Sequence, residues 1–292
     1  MKKTVIITGA NSGLGFQTAL KIAAHSTEFE VILACRNLEK AQQTQAQIVK
    51  ETGNPHVSVL QLDTASLKSV RQFVKAYQDK YGAPVYALLC NAGIGAFNSA
   101  PQLTEDGFDV VFATNHLGHF LLTNLLLPFM EKEGKILVTA SDMHNPLLQS
   151  GETFAWLGVE AISHPGEKLA ASNLRYAYSK LCNVYFVYEL TRKLKAQNST
   201  VKVNAFNPGL MKTHFSKTNE AFYDYIRINV PERYGDLDKS SSALAELTYS
   251  EDIILSSGHF YDRSTRPCFT SQLSYNEQNA KELWEKSEEY TQ

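Results

Sequence analysis

The sequence has little cysteine, little net charge and no long uninterrupted apolar run, and each shortage argues against a class of protein. Its 292 residues contain four cysteines, widely spaced and without a C-x-x-C pair, which argues against a disulfide framework. Cys35 and Cys90 end apolar runs and are expected in the core, so a reducing compartment fits best. A net charge of −2 and a pI near 6.5 argue against a nucleic-acid binder that neutralises phosphates.

The apolar segments are too short or too polar to target the chain or to span a membrane. The N-terminal residues lead directly into a run of only a few apolar residues, shorter than the apolar core of a signal peptide. The richest apolar stretch, Val110 to Met130, contains Asn115, His116, His119 and Asn124, which predicts a buried helix. We therefore expect a cytoplasmic protein with no transmembrane segment and no nucleic-acid partner.

The first strand leads into a glycine-rich turn. Val5-Ile6-Ile7 predicts a buried parallel strand, and a helical pattern continues from the turn through Ala24. Gly9, Gly13 and Gly15 let the backbone approach a phosphate at the helix N-terminus, where free N–H groups favour an anion. Their spacing differs from the longer G-x-G-x-x-G fingerprint. The flanking strand and helix favour dinucleotide binding over an ordinary turn.

The second strand, predicted at Val31–Cys35, ends at Arg36 and Asn37. At this position a nucleotide-binding fold contacts the adenosine ribose, and an acidic residue there would accept bonds from a free 2′-hydroxyl. An arginine instead accommodates a 2′-phosphate. No Asp or Glu occurs at 34–37, so NADP(H) is favoured over NAD(H). The alternative is a solvated arginine at the start of a helix predicted from Leu38 to Glu51.

Three further strands also end at small or polar residues. The strand at 57–62 is followed by Asp63 and Thr64, and Asp63 suits either the adenine amino group or the N-cap of a helix at 66–80. The strands at 85–90 and 135–140 are followed by residues that suit close approach by a ligand: Asn91-Ala92-Gly93 and Ser141. Between them a long helix is predicted from Glu105 to Met130, with Asn115 in apolar surroundings.

Tyr176 and Lys180 lie four residues apart in a helix predicted at about 172–197, so their side chains share one face. A phenol loses its proton near pH 10, and a neighbouring ammonium lowers that pKa. Such a pair can exchange a proton with a substrate oxygen. Taken alone, these residues are more typical of a helix surface, because Tyr-x-x-x-Lys occurs often by chance. Tyr178 points to another face.

Six alternations of apolar strand and helix predict a doubly wound, mainly parallel Rossmann-type α/β sheet with helices on both faces. The ligand should bind at the carboxyl edge of the strands. No repeat or linker interrupts the chain, so residues 1–292 are predicted to form one domain. Strand six is predicted at 201–206 and is followed by Asn207-Pro208-Gly209.

Two segments depart from this alternation. Residues 142–171 include Phe154 and Trp156 among Gly, Ser, His and Pro, and predict an inserted substrate loop. Residues 210–236 predict a lid and are rich in aromatic side chains: Phe215, Phe222, Tyr223, Tyr225 and Tyr234. The aromatic residues favour a lipophilic substrate, with an oligomer interface as the alternative. The tail, 276–289, predicts a helix packed against the body.

In this order and at these strand ends, the motifs resemble the short-chain dehydrogenase/reductase family over nearly the whole chain. The matching pieces are Thr8 to Gly15, Asn91-Ala92-Gly93, Asn115, Ser141, Tyr176 with Lys180, and Asn207-Pro208-Gly209. Three further pieces look like the retinol-dehydrogenase and light-dependent protochlorophyllide-reductase branch: Ala34–Asn37, Ser179–Asn183 and Leu283-Trp284.

The resemblance implies a role for each matching residue and NADPH or NADP as the cofactor. Tyr176 would be the proton donor or acceptor, and Lys180 would lower its pKa and hold the nicotinamide ribose. Ser141 would hydrogen-bond the substrate oxygen, and Asn115 would keep a water in a relay to Lys180. Two groups would border the cofactor: Gly9, Ser12, Gly13, Leu14 and Gly15 at the pyrophosphate and adenosine, and Pro208, Gly209 and Leu210 at the nicotinamide.

Three functions fit to different degrees. The first is an NADP(H)-dependent oxidoreductase that acts on a carbonyl or alcohol of a lipophilic small molecule. The second is a light-driven tetrapyrrole reductase, against which Leu210 speaks because protochlorophyllide reductases carry a cysteine there. The third is a non-catalytic NADP(H) sensor or scaffold. A sensor would be expected to lose Tyr176, Lys180 or Ser141, whereas all three are present.

Three smaller points complete the expectations. Ser141 lies 35 residues before Tyr176, a longer gap than in many members of the family, so the insertion is expected to shape the substrate entrance. His116 and His119 have no nearby acid or cysteine at metal-site spacing and are expected to be structural, with no metal. The family's four-helix interface would use the helices at 105–130 and 172–197, which suggests a possible homo-oligomer unless the lid or the insertion blocks it.

Overall fold

One sheet of eight strands forms the centre of the protein: β1 Lys3–Thr8, β2 Phe29–Cys35, β3 Val57–Gln61, β4 Val85–Cys90, β5 Met130–Thr139, β6 Lys202–Asn207, β7 Phe260–Asp262 and β8 Pro267–Cys268. Their order is β3-β2-β1-β4-β5-β6-β7-β8. All neighbours are parallel except β7 and β8. The predicted mainly parallel sheet is therefore confirmed.

The computed structural model describes residues 2–96, 100–148, 154–166, 169, 174–213, 220–251, 253 and 256–292. Its helices are α1 Gly13–His25, α2 Leu38–Thr52, α3 Leu67–Lys80, α4 Val110–Phe129, α5 Val159–Ser163, α6 Leu174–Ala196, α7 Glu220–Asn229, α8 Leu237–Tyr249 and α9 Glu277–Tyr290.

Side chains that alternate along the strands fill two cores, one on each face of the sheet. Ile6 and Leu88 belong to the core shared with α3, α4 and α6. Val5, Ile7 and Leu89 belong to the core shared with α1, α2 and α8. Because both faces are covered, the strands read as continuous apolar runs rather than as alternating ones. The predicted doubly wound arrangement follows from this pattern.

Helix α4 is irregular and starts later than the predicted Glu105. Asp109 accepts hydrogen bonds from Val111 N and Phe112 N, so the helix begins at Val110. A π turn at Ala113–Leu117 follows, then Gly118–Leu126 as α-helix and a short 3₁₀ end. Among the described residues only α4 is long and apolar enough to span a membrane, and 78% of that stretch is buried inside the protein.

Helix α6 is enclosed on all sides through its middle, where every side chain from Ala177 to Tyr188 is buried. The sheet covers its inner side and α9 packs against its outer side. The ring of Trp284 on α9 lies 4.9 Å from that of Phe120 on α4 and 6.0 Å from that of Phe186 on α6. Packing of the tail helix against the body is thus as predicted.

Gly118→Ala should destabilise the protein although alanine favours helices. A Cβ at Gly118 would lie 1.9 Å from the carbonyl oxygen of Thr64, so α4 or the loop after β3 must move. Overpacking of this kind costs about 1–3 kcal/mol, more than the roughly 1 kcal/mol that alanine gains in a helix. Urea unfolding should show a lower midpoint. In Gly166→Ala, the matched control, nothing lies within 4 Å and the midpoint should stay unchanged.

Candidate active site

Residues from the carboxyl ends of β1 to β6 line one cavity of about 720 Å³. The strand order reverses between β1 and β4, and open parallel sheets bind ligands at such a crevice. All the predicted cofactor-binding residues line this cavity: Gly9, Ser12, Gly13, Leu14, Gly15, Arg36, Asn37, Asp63, Thr64, Asn91, Ala92, Gly93, Tyr176, Lys180, Pro208, Gly209 and Leu210. Ser141 lines it too, whereas Asn115 is fully buried.

The glycine-rich turn packs directly against the end of β4. Gly9 has φ +65°, and a Cβ there would lie 2.9 Å from Ala92 Cα. Thr8 Oγ1 accepts hydrogen bonds from Asn91 N at 2.9 Å and Ala92 N at 2.8 Å. Asn91 Nδ2 in turn donates to Thr8 O at 2.8 Å. Asn91 therefore holds the turn in place. The sequence alone did not indicate this contact between Asn91 and Thr8.

The N-terminus of α1 is open toward the cavity. Ser12 occupies the N-cap position but makes no side-chain capping bond, so the first N–H groups of α1 have no side-chain acceptor there. Such a helix end binds anions through these groups and the helix dipole. The turn and the helix start together form a cradle suited to a pyrophosphate.

Two cations face the far end of the cavity. Arg36 and Lys40 both line it, with Asn37 between them. Asn37 Oδ1 accepts a hydrogen bond from Lys40 N at 2.9 Å and so caps α2 as well. The sequence reasoning missed Lys40, which its position four residues after Arg36 could have indicated. Both side chains can bind an anion at this part of the cavity.

Asp63 lines the cavity but does not cap α3. Asp63 Oδ1 accepts a hydrogen bond from Ala65 N at 2.9 Å, which closes the loop after β3. Ser66 provides the cap, because its hydroxyl accepts from Ser69 N at 3.2 Å. The predicted capping role of Asp63 is therefore wrong, since α3 begins at Leu67. Its side chain stays available to the cavity.

The side chains of Tyr176 and Ser141 both line the cavity and interact with each other there. Lys180 Nζ lies 5.6 Å from the centre of the Tyr176 ring. Burial raises the pKa of Tyr176 well above its ordinary value, opposed by the bond to Ser141 and helped by the charge of Asp142. Burial lowers the pKa of Lys180 to about 7. The expected lowering of the Tyr176 pKa is not seen in this arrangement, because desolvation by burial has the largest effect on the phenol.

Lys180 and Asn115 approach each other across Gly93. A Cβ on Gly93 would lie 3.2 Å from Asn115 Oδ1 and 3.7 Å from Lys180 Nζ. Lys180 Nζ donates to Thr139 O at 2.8 Å. Asn115 Oδ1 accepts from Ile94 N at 2.8 Å. Asn115 thus stands next to Lys180 as the relay requires, and its role of holding a water there stays a prediction.

His116 and His119 bind protein groups. His119 bridges Thr8 Oγ1 at 2.9 Å and the carbonyl oxygen of Asn115 at 3.1 Å. His116 Nε2 lies 3.0 Å from Ser287 Oγ on α9. Burial lowers the pKa of His116 to about 3 and that of His119 to about 4, so both are neutral at physiological pH. No group of three or more potential His, Cys, Asp or Glu ligands occurs among the described residues.

A buried ion pair that the sequence reasoning missed joins the two helices of the site. Arg175 Nη1 lies 2.6 Å from Asp109 Oδ2, and the two side chains are 2% and 1% exposed. Asp109 starts α4, which carries Asn115, and Arg175 directly precedes Tyr176 on α6. The sequence offered only a weak indication of this pair, namely a charged residue near the start of each of the two predicted helices.

Other residues that line the cavity are aliphatic, methionine or charged rather than aromatic. They include Ile94, Ala96, Met143, Leu210, Met211 and Ile226, and the ion pair of Asp142 with Arg233. Phe154 instead stacks on Tyr178 with centroids 4.5 Å apart, and Trp156 packs on Tyr185. Tyr178 donates to Ala155 O at 2.8 Å, which confirms that it faces away from the site. Within the described part of the insertion only Asp142 and Met143 reach the cavity.

None of the aromatic side chains of the predicted lid that the structure describes lines the cavity, and the lid itself stays a prediction. Tyr223 and Tyr234 do not line the cavity, and Tyr225 is 59% exposed. Ile226 of α7 lines it instead. Phe215 and the side chain of Phe222 lie outside the described part of the chain. The positions of aromatic residues in the sequence do not indicate which face of α7 packs toward the cavity.

The loop Pro208-Gly209-Leu210 is tied to the base of the predicted lid. Leu210 N donates to Arg233 O at 2.9 Å, and Gly235 N donates to Leu210 O at 3.0 Å. Gly209 N donates to Asn207 Oδ1 at 3.0 Å. Pro208-Gly209-Leu210 therefore has a fixed course between β6 and the segment 231–235.

Lys180→Met should change how stability depends on pH. The pKa of Lys180 is about 7 in the folded protein and near its ordinary 10.5 when unfolded. Between these values the unfolded chain binds an additional proton, so wild-type stability rises with pH, by at most about 1.4 kcal/mol per unit. Urea unfolding between about pH 7 and 9 should give a smaller slope in Lys180→Met. The exposed Lys195→Met should keep the wild-type slope, and an unchanged slope in Lys180→Met would contradict the burial argument.

The comparisons with known proteins agree with this geometry. The model of the short chain dehydrogenase family matches residues 3–149. A WW domain-containing oxidoreductase of Gallus gallus is 33% identical over 98% of this chain and 67% of its own length. Retinol dehydrogenase 13 of Homo sapiens is 33% identical over 98% of this chain and 83% of its own length.

Among solved structures, an uncharacterized protein from Mycobacterium paratuberculosis is 31% identical with a TM-score of 0.76, over 99% of this chain and 93% of that one. The match in sequence therefore extends to the fold. The chain belongs to the short-chain dehydrogenase family of oxidoreductases.

Proposed function

We propose that the protein is an NADP(H)-dependent oxidoreductase that transfers a hydride between the nicotinamide and a carbonyl or alcohol carbon of an apolar small molecule. The observation that carries the proposal is the meeting of the Tyr176 and Ser141 hydroxyls beside Lys180, in one cavity with the glycine-rich turn. A sensor would have no need for this arrangement.

The residues present fit a dinucleotide. The glycine-rich turn leaves no room for a side chain at Gly9, and the start of α1 offers free N–H groups to a pyrophosphate. Arg36 and Lys40 favour a 2′-phosphate at the adenosine end. When bound, the cofactor would supply the hydride.

The chain's own residues would move the proton. In reduction, Tyr176 donates its hydroxyl proton to the substrate oxygen, while Ser141 hydrogen-bonds the same oxygen. Tyr176 is protonated at neutral pH, but its raised pKa makes it a weaker acid, so proton donation would depend on Lys180, whose ammonium stabilises the phenolate that forms. Lys180, with a pKa of about 7, can be charged or neutral at little cost and so can pass a proton to Tyr176.

An apolar substrate fits the cavity wall. Ile94, Met143, Leu210, Met211 and Ile226 offer aliphatic and thioether surface next to Tyr176. The name of the relative retinol dehydrogenase 13 supports the same class of substrate. That the protein is cytoplasmic and forms a homo-oligomer stays a prediction.

Tyr176→Phe should abolish turnover without weakening cofactor binding. Loss of a positioned proton donor costs about 10²–10⁴-fold in rate. Initial rates with NADPH should be measured on apolar aldehydes and ketones, and NADPH binding by fluorescence titration. Tyr178→Phe is the matched control, because its hydroxyl binds Ala155 O on another face of the same helix and its loss should leave the rate unchanged.

Two results would contradict the proposal. Activity of Tyr176→Phe equal to wild type would remove the proton-donor role. Turnover of small polar carbonyls alone would remove the apolar substrate and leave the oxidoreductase assignment intact.

Arg36→Ala and Lys40→Ala should each weaken NADPH binding and leave NADH binding unchanged. A charge-assisted bond to a phosphate contributes about 1.5–3 kcal/mol, which corresponds to roughly 10–100-fold in the dissociation constant. Titrations with both cofactors check this result. Lys50→Ala, an exposed residue near the other end of α2, is the control. Equal wild-type affinity for NADPH and NADH would refute the role of Arg36 and Lys40.

A further inference from the structure

Ser141 and Tyr176 interact although 35 residues separate them. The backbone just before Ser141 is held to α6, because Lys180 Nζ and Asn183 Nδ2 both donate to Thr139 O. The loop that begins at Ser141 has a second attachment, which reaches a distant segment of the chain. The contacts of His144 identify that segment.

His144 is 3% exposed and bonded at both ring nitrogens. Its Nδ1 lies 2.6 Å from the carbonyl oxygen of Ser141, and its Nε2 lies 3.2 Å from the backbone N of Ser271. A carbonyl only accepts and a backbone N–H only donates, so Nδ1 carries the proton and Nε2 accepts. The neutral imidazole thus bridges the serine loop and the chain after β8.

The segment Thr270–Tyr275, which we call the C-terminal brace, is in turn fixed to the catalytic helix. The hydroxyl of Tyr188 lies 2.7 Å from Thr270 Oγ1, and the hydroxyl of Tyr185 donates to Leu273 O at 2.9 Å. Tyr185 and Tyr188 follow Tyr176 on α6. The rings of Tyr188 and Tyr275 also stack with centroids 5.5 Å apart.

These contacts form a closed path from Ser141 through His144 and the C-terminal brace to the helix that carries Tyr176. We propose that His144 is a positioning residue, which fixes Ser141 relative to Tyr176 so that both hydroxyls reach one substrate oxygen. The assignment rests on the proposed function for its effect on rate. The path itself can be tested without any turnover.

The kinetic test is a double-mutant cycle between His144 and Ser141. His144→Phe keeps a ring against Phe260 but loses both hydrogen bonds, and should lower kcat about 10–100-fold with the NADPH dissociation constant unchanged. His144→Asn should recover part of the rate, because its amide can donate to Ser141 O. In a Ser141→Ala background, His144→Phe should change kcat by less than about twofold, since the residue acts through the serine.

Tyr188→Phe tests the other end of the path without touching the serine loop. It removes the bond to Thr270, so kcat should fall by a few-fold, and again only when Ser141 is present. Tyr188→Phe replaces His144→Phe as the test if His144→Phe does not fold. Equal losses of kcat in the wild-type and Ser141→Ala backgrounds would overturn the proposal. Wild-type kcat in both Tyr188→Phe and His144→Asn would overturn it too.

Hydrogen–deuterium exchange tests the path independently of activity. In His144→Phe, the amides of the C-terminal brace, Ser271 above all, should exchange faster than in wild type by about tenfold or more. Unchanged exchange there would overturn the bridging role. A wild-type protein without carbonyl reductase activity would refute the proposed function, and the exchange result would still decide whether His144 holds the two segments together.

Discussion

The ion pair between Asp109 and Arg175 is the constraint on which the arrangement of the site depends. Each residue lies at the start of a buried helix, and both charged side chains are almost completely shielded from solvent. Removing one partner of such a pair costs about 3–5 kcal/mol, because the other charge stays buried. The pair fixes the entry of α4 against the entry of α6. The π turn with Asn115 and the first turn with Tyr176 are therefore held one beside the other before any ligand binds.

Much of the site could be predicted because a parallel sheet brings the ends of its strands to one edge. Gly9, Arg36, Asp63, Asn91 and Ser141 each follow an apolar run, and the topology alone places them together. The alternation of strands and helices was sufficient to predict the fold. The bounds of elements were less predictable. Helix α4 starts at Val110 because Asp109 caps it, and β5 starts at Met130 because Met130 already pairs with Val85 of β4.

The contacts between distant segments could not be predicted. His144 binds Ser271, and nothing near either residue in the sequence indicates the other. The aromatic residues were misplaced for a related reason. Helix α6 is buried on all sides. Phe154 and Trp156 pack against Tyr178 and Tyr185 on its outer face instead of lining the cavity. The direction of the Tyr176 pKa was also misjudged, since burial is a property of the folded chain and has the largest effect on the phenol.

Helix α9 has a consequence for how copies of the chain can meet. Short-chain dehydrogenases that pair through α4 and α6 need the outer faces of these helices free. Here Trp284 fills the groove between Phe120 and Phe186, and His116 of α4 is bonded to Ser287. The chain thus supplies from its own tail the surface that a neighbouring subunit would otherwise provide. A second copy that approached this side of the protein would meet α9 before α4 or α6 at these positions.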